Sequence, residues 1–181
     1  RFSLAGNCTE PLLYPDIGDV IKAIKEINAE LKIYSNFYDG EKILSVANEL
    51  KRGDVVRISL DAGSDYAYNR THVPDDPHAF LKIMRNIEKL AELKKETRTG
   101  FAIVITFLLT RDNSVEKEIR FISTWGGEHG IDGIRFSLPL MPKQHKTDFH
   151  PLTGDEETRV KEIIDSIEDE NRYPETEIAF I

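Results

Sequence analysis

The chain has 181 residues, 40% of them hydrophobic, a net charge of −8 and a single cysteine, Cys8. That length suits one domain with a buried core spanning residues 1–181, and no apolar run approaches the roughly 20 residues of a membrane-spanning helix. The acidic balance, with basic residues scattered among the acids, argues against a nucleic-acid backbone as partner. A lone cysteine excludes an internal disulfide and a self-sufficient cysteine-ligated metal or iron–sulfur site, and it fits a reducing, cytoplasmic compartment.

The first residues lack the apolar run of a signal peptide. They do not begin with Met and read as the inside of a strand, so the chain is expected to be part of a longer protein. Arg1 to Ala5 is a short strand-like run. Asp16 is a candidate N-cap for a helix carrying Ile17, Val20, Ile21, Ile24 and Ile27 at helical spacing. Leu31 to Ser35 is strand-like, Ile43 to Leu50 fits a short helix closing at Gly53, and the β-branched run Val55 to Leu60 is a strand. Pro77 opens a long amphipathic helix to about Glu96. Phe101 to Leu109 is apolar throughout, as a strand buried on both faces should be. Val115 to Trp125 fits a helix ended by Gly126 and Gly127, Gly133 to Leu138 a strand, Asp155 to Asp169 an acidic exposed helix, and Glu177 to Ile181 a last strand.

Five strand–helix units followed by a strand imply an α/β fold with parallel pairing and right-handed crossovers. The pattern leaves open a doubly wound sheet and an incomplete barrel. In both, chemistry gathers at the C-terminal ends of the strands. Gly6 permits a tight turn after the first strand, and Pro11 restricts Glu10, whose carboxylate suits an ammonium group. Ser35 and Asn36 end the second strand. Ser59 and Asp61 end the third and, by alternation, share a face. Thr106 interrupts the apolar fourth strand. Arg135 and Ser137 share one face of the fifth, with Phe136 and Leu138 on the other. Together these groups suit a small polar ligand carrying an amine and hydroxyls, although each taken singly also reads as a turn former or a satisfied core polar residue.

Three blocks, taken in order, resemble the radical S-adenosylmethionine (SAM) enzymes. Gly6-Asn7-Cys8-Thr9-Glu10-Pro11-Leu12 is similar to that family's Gly-Gly-Glu-Pro-Leu loop in a looser form. Ile33-Tyr34-Ser35-Asn36-Phe37 resembles its Thr-Asn-Gly strand end, and Val56-Arg57-Ile58-Ser59-Leu60-Asp61-Ala62 its Ile-Ser-Leu-Asp strand. The resemblance implies a partial (β/α) barrel of about five units plus a final strand, truncated at the first strand. It implies that Glu10 and its loop, including Gly6, bind the SAM amino group. Ser35 and Asn36 would lie near the methionine carboxylate or ribose, Ser59 and Asp61 near the ribose or carboxylate, Thr106 near the nucleoside, and Ser137 and Leu138 by the adenine. It further implies a small-molecule or peptide substrate and an electron donor for the intact protein. No residue is assigned a catalytic role.

The departure lies in the cluster. The family holds a [4Fe–4S] cluster on a CxxxCxxC loop upstream of the Gly-Glu block, and that loop is absent from these residues. Cys8 alone reads as a small buried side chain, so the chain by itself is expected to hold no cluster and to be inactive. Two rival readings remain: a cluster-less binding module, and a non-radical α/β enzyme using Glu10 and Asp61 as acid and base. A missing first strand would leave an open parallel edge, which implies self-association. Trp125 to Gly130 reads as a helix end and turn rather than a phosphate loop, because it follows a helix. His145, Asp148 and His150 read as a solvated loop or a lid over the barrel mouth, ahead of a metal site. His72 and His78 flank the start of the long helix.

Overall fold

The computed structural model describes residues 1–6, 9–139, 151–170 and 172–181. Six strands, β1 (Phe2–Leu4), β2 (Leu31–Ser35), β3 (Val55–Ser59), β4 (Ala102–Leu108), β5 (Gly133–Ser137) and β6 (Glu177–Phe180), form one sheet. Between them run α1 (Ile17–Glu26), α2 (Glu41–Leu44), α3 (Asp65–His72), α4 (Ala79–Thr97), α5 (Glu116–Glu128) and α6 (Gly154–Glu170). Every neighbouring pair is parallel, and the strands lie in sequence order from β1 to β6. A doubly wound sheet needs a point where strand order reverses, and this sheet has none. Right-handed crossovers in unbroken order place the helices on one side. The sheet is therefore a partial (β/α) barrel, with its other side forming the concave face.

Burial follows that division. Leu31, Ile33 and Ser35 of β2 are buried while Lys32 and Tyr34 are half-buried. Val56 and Ile58 of β3, Ile103, Ile105 and Phe107 of β4, and Ile134 and Phe136 of β5 face the helices and are fully buried. Against them pack Phe80, Ile83, Ile87 and Leu90 of α4, Ile119 and Ile122 of α5, and Val160 and Ile164 of α6. The rings of Phe107 and Phe136 meet at 5.3 Å between centroids. Each such aliphatic or aromatic side chain contributes about 1.5–3 kcal/mol when fully buried. This helix-side layer is what makes the fold.

The N-terminal ends of the strands are fixed by a repeated device. Asp54, just before β3, accepts Lys25 Nζ at 2.6 Å and the backbone N–H groups of Leu31 and Lys51 at 2.8 and 2.7 Å. Asp132, just before β5, accepts Lys94 Nζ at 2.6 Å and the Ile103 N–H at 2.7 Å. In each case a lysine from a helix neutralises an aspartate that pins the neighbouring strand. The Lys25–Asp54 pair is 6% and 2% exposed, so removing one partner leaves a buried charge, costing about 3–5 kcal/mol.

Three elements differ from expectation. The helix expected over Ile43 to Leu50 is instead α2, ending at Leu44, followed by a separate 3-10 turn at Ala47–Glu49. Asp65–His72 is a helix, capped by Ser64 Oγ accepting the Ala67 N–H at 3.2 Å; its Tyr-Ala-Tyr-Asn pattern carries no apolar periodicity to announce it. The helix α5 does not stop at Gly126 and Gly127 but runs through both, and the chain turns instead at Gly130, at φ +70°. A Cβ on Gly126 would come within 2.6 Å of Ile134, and one on Gly127 within 2.2 Å of the Tyr173 ring. The glycines there serve close packing of a helix, not its termination. His145, Asp148 and His150 lie outside the described residues, as does Cys8.

Candidate functional site

The strand ends are joined across the sheet by side chains that cap backbone groups. After β1, a Cβ on Gly6 would fall 1.3 Å from the Thr9 carbonyl oxygen, so the turn admits only glycine. Glu10 follows. Its Oε1 accepts the Leu12 N–H at 3.1 Å, capping the 3-10 turn Pro11–Leu13. Its Oε2 accepts the Asn36 N–H at 2.7 Å. Glu10 thereby ties the loop after β1 to the end of β2.

At that second end, Ser35 Oγ accepts the Phe37 N–H at 2.8 Å and Asn36 Oδ1 accepts the Tyr38 N–H at 3.0 Å. Both side chains shape a turn in which Phe37, fully buried, takes a left-handed φ of +62°. Asn86 of α4 completes it, donating to the Phe37 and Tyr38 carbonyls. Ser35 points toward the helices and is 4% exposed. Its hydroxyl stands on the opposite side of the sheet from the concave face.

The end of β3 departs from simple alternation. The strand stops at Ser59, which is exposed, and Asp61 has a left-handed φ of +53°. Asp61 Oδ1 accepts the Leu108 N–H at 2.7 Å. The buried Asn113 locks this junction, donating to the Asp61 and Leu108 carbonyls at 2.8 Å and accepting the Thr110 N–H at 2.7 Å. The neighbouring turn is held by Glu118, which accepts the Gly63 N–H and the Ser64 hydroxyl at 2.8 Å each. Asn86, Asn113 and Glu118 escaped sequence reasoning because each acts on backbone groups far away in the chain. The only local signal was the Thr110-x-x-Asn113 spacing of a side-chain-bonded turn.

His72, at the end of α3, places Nε2 3.6 Å from Asp61 Oδ2 and stacks on Tyr68 at 4.4 Å. Burial pushes Asp61 up to about 6, opposed by the Leu108 hydrogen bond. Burial lowers His72 below its ordinary value, opposed by a bond to the Leu60 backbone. At neutral pH the imidazole is uncharged, so this contact is not an ion pair. Tyr68 is pushed up to about 12 by burial first, then by the negative charges of Asp61 and Glu10.

On the concave face, register places Ser59 beside Thr106 and Thr106 beside Arg135, with Ser137 beside Leu108 one row further toward the mouth. Thr106 Oγ1 donates to the Ile58 carbonyl at 3.2 Å and lies 3.5 Å from Ser59 Oγ. Leu138 is partly buried against the core. The structure thus brings Ser59, Thr106 and Ser137 onto one face, ties Glu10 to the end of β2 and sets Asp61 beside His72. It turns Ser35 away, commits the Asn36 side chain to its own turn and packs Leu138 on the core. The hydroxyls can serve a sugar or carboxylate, and the two carboxylates an ammonium group. Among the described residues, no group of three or more His, Cys, Asp or Glu side chains is arranged to hold a metal ion.

A cavity of about 410 Å³ is lined by residues of α5, α6, β6 and the α6–β6 connection, including Ser123, Tyr173 and Thr176. Its Arg120 is paired with Glu116 at 2.7 Å and Glu170 at 2.9 Å. No helix among the described residues is long and apolar enough to cross a membrane.

Comparison with known proteins bears out the fold. The SuiB protein of Streptococcus suis, solved bound to S-adenosylmethionine, superimposes with a TM-score of 0.71 over 95% of this chain and 37% of its own, at 14% identity. A radical SAM methyltransferase from Sphaerobacter thermophilus superimposes at 0.61 over 94% of this chain and 48% of its own, at 13% identity. The chain has the fold of the radical SAM enzymes. In sequence, the S-adenosyl-L-methionine-dependent tRNA 4-demethylwyosine synthase of Pyrococcus abyssi is 28% identical over 102 residues, 56% of this chain and 29% of that protein. No family model matches. The chain spans less than half the length of each of these radical SAM relatives. SuiB has also been solved bound to its precursor peptide SuiA.

Proposed function

We propose that the mouth of this sheet binds S-adenosylmethionine and that the chain is the core of a radical SAM enzyme acting on a small-molecule or peptide substrate. The observation that carries this reading is the set of polar groups at the strand ends. Hydroxyls of Ser59, Thr106 and Ser137 line one face, and the carboxylates of Glu10 and Asp61 are bonded to backbone N–H groups at the ends of β2 and β4. A zwitterionic nucleoside needs this mixture. Glu10 has lone pairs beyond those used by the Leu12 and Asn36 N–H groups, and it stands ready for the methionine ammonium. Ser59, Thr106 and Asp61 would face the ribose or carboxylate, and Ser137 with the Leu138 backbone the adenine. Asn36 would contribute its place in the loop.

Radical chemistry would further need a [4Fe–4S] cluster and an electron donor, which would supply the electron for reductive cleavage of SAM. With one cysteine in 181 residues, this chain's own residues do not fit the cluster, and its contribution is to bind and orient SAM. Calorimetric titration of the full chain with SAM tests the reading. Ser59→Ala, at an exposed position outside the capping network, should weaken binding about tenfold, and Glu10→Gln more, since one missing charge-assisted bond has that effect. Unchanged SAM affinity in both variants, or no saturable binding by the wild type, would remove the proposal.

A further inference from the structure

Below the mouth, the concave face carries a different chemistry. Register sets out the row Tyr34, Arg57, Val104, Gly133, Glu177, and one row nearer the mouth Ser59, Thr106, Arg135, Ala179. Lys32 lies one row further down. The strand residues of this face thus present Lys32, Arg57 and Arg135 against the single acid Glu177, on a chain whose net charge is −8. Glu177 is at the sheet edge, two-thirds exposed, and reaches Arg135 only at 3.9 Å.

Arg57 is the unusual member. Its Nε is buried and has no hydrogen-bond partner among the described residues. Its guanidinium lies over the Tyr34 ring, 5.3 Å from the centroid, which fixes its orientation without using its donors. A buried donor left without an acceptor costs about 1–3 kcal/mol, so this guanidinium is held with its hydrogen-bonding capacity unfilled. Arg57 and Arg135 sit two strands and two residues apart, about 12 Å between Cα atoms from the strand spacing and rise, on either side of Val104 and Thr106. Gly133, in the Arg57 row, offers no side chain to fill the space between them. Two guanidinium forks on either side of the small side chains Val104 and Thr106 match a carboxylate or phosphate group.

We infer that Arg57 and Arg135 form an anion subsite that holds the carboxylate or phosphate group of the substrate beneath the SAM-binding mouth. The word substrate rests on the proposed SAM reading; the anion site itself does not. Its test is an NMR titration of the full chain, following the arginine Nε–Hε signals with inorganic phosphate and with succinate, against chloride at equal ionic strength. At least one of the two should shift Arg57 and Arg135 saturably, and Arg57→Met and Arg135→Met should each weaken that binding about tenfold. Response to phosphate alone marks a phosphorylated substrate, and response to succinate alone a carboxylic acid. SAM affinity should stay within about twofold in both variants, since neither is among the groups facing SAM. Shifts no larger than those with chloride would overturn the inference, and so would a parallel loss of SAM affinity, which would assign the arginines to SAM's own carboxylate. Wild-type protein that binds the anion but not SAM would sink the proposed function and leave this subsite standing.

Discussion

Asp61 shows how one residue joins packing to chemistry. Its left-handed backbone, its bond to the Leu108 N–H and its burial hold a carboxyl beside His72 and Tyr68. Burial dominates, raising its pKa from 3.8 to about 6. A raised carboxyl contributes stability that is fully present below about pH 4 and lost as pH rises through 6. Two units correspond to at most about 3 kcal/mol. Asp61→Asn keeps an oxygen for the Leu108 N–H and removes the charge. The variant should therefore be the more stable by about 1–3 kcal/mol at pH 7.5, with the difference vanishing near pH 4. Urea denaturation of both proteins across that range measures it, and taking the difference cancels the opposite trend of His72, whose lowered pKa weakens the fold as pH falls. A difference independent of pH would show that Asp61 is not held in a desolvated site. Glu10 was legible in the sequence because Gly6 and Pro11 mark its turn. The conformation of Asp61 was not, because it depends on Asn113, fifty-two residues away, and alternation along a strand assumes that the strand continues.

At the scale of elements, hydrophobic period revealed all six strands and four of the helices to within a few residues. It failed where packing overrides local preference. Two glycines in sequence ordinarily end a helix, yet α5 continues through Gly126 and Gly127 because strand and connection press against its backbone. Helix propensity alone favours alanine over an interior glycine by about 1 kcal/mol. Packing opposes it here: the new methyl of Gly127→Ala would meet Tyr173 Cγ at 2.2 Å and Cβ at 2.7 Å, atoms near the backbone that cannot swing aside. Overpacking of this kind costs about 1–3 kcal/mol, so the variant should lose stability. Thermal unfolding checks the sign, and a raised midpoint would mean that Tyr173 does not close on α5. The helix α3 was missed for a related reason, since its support is the Ser64 cap and the stacking of Tyr68 on His72, not an apolar stripe.

Taken whole, the molecule separates its two ends. Buried and half-buried lysine–aspartate pairs fasten the N-terminal ends of the strands. The C-terminal ends carry the hydroxyls, the Glu10 and Asp61 carboxylates and the shaped turns. That division, stability below and chemistry above, is what parallel barrels impose on their sequences. It explains why short blocks in the first half of the chain were enough to point to a family while the capping network stayed hidden. The central claim is that SAM enters at the upper end. The measurement that tests it most directly is a two-dimensional amide NMR titration of the full chain with SAM. The account predicts that signals of Gly6, Glu10, Asn36, Ser59, Asp61, Thr106 and Ser137 move together along one saturation curve. Saturable shifts confined instead to Arg120, Tyr173 and Thr176, around the cavity between α5, α6 and β6, would contradict it.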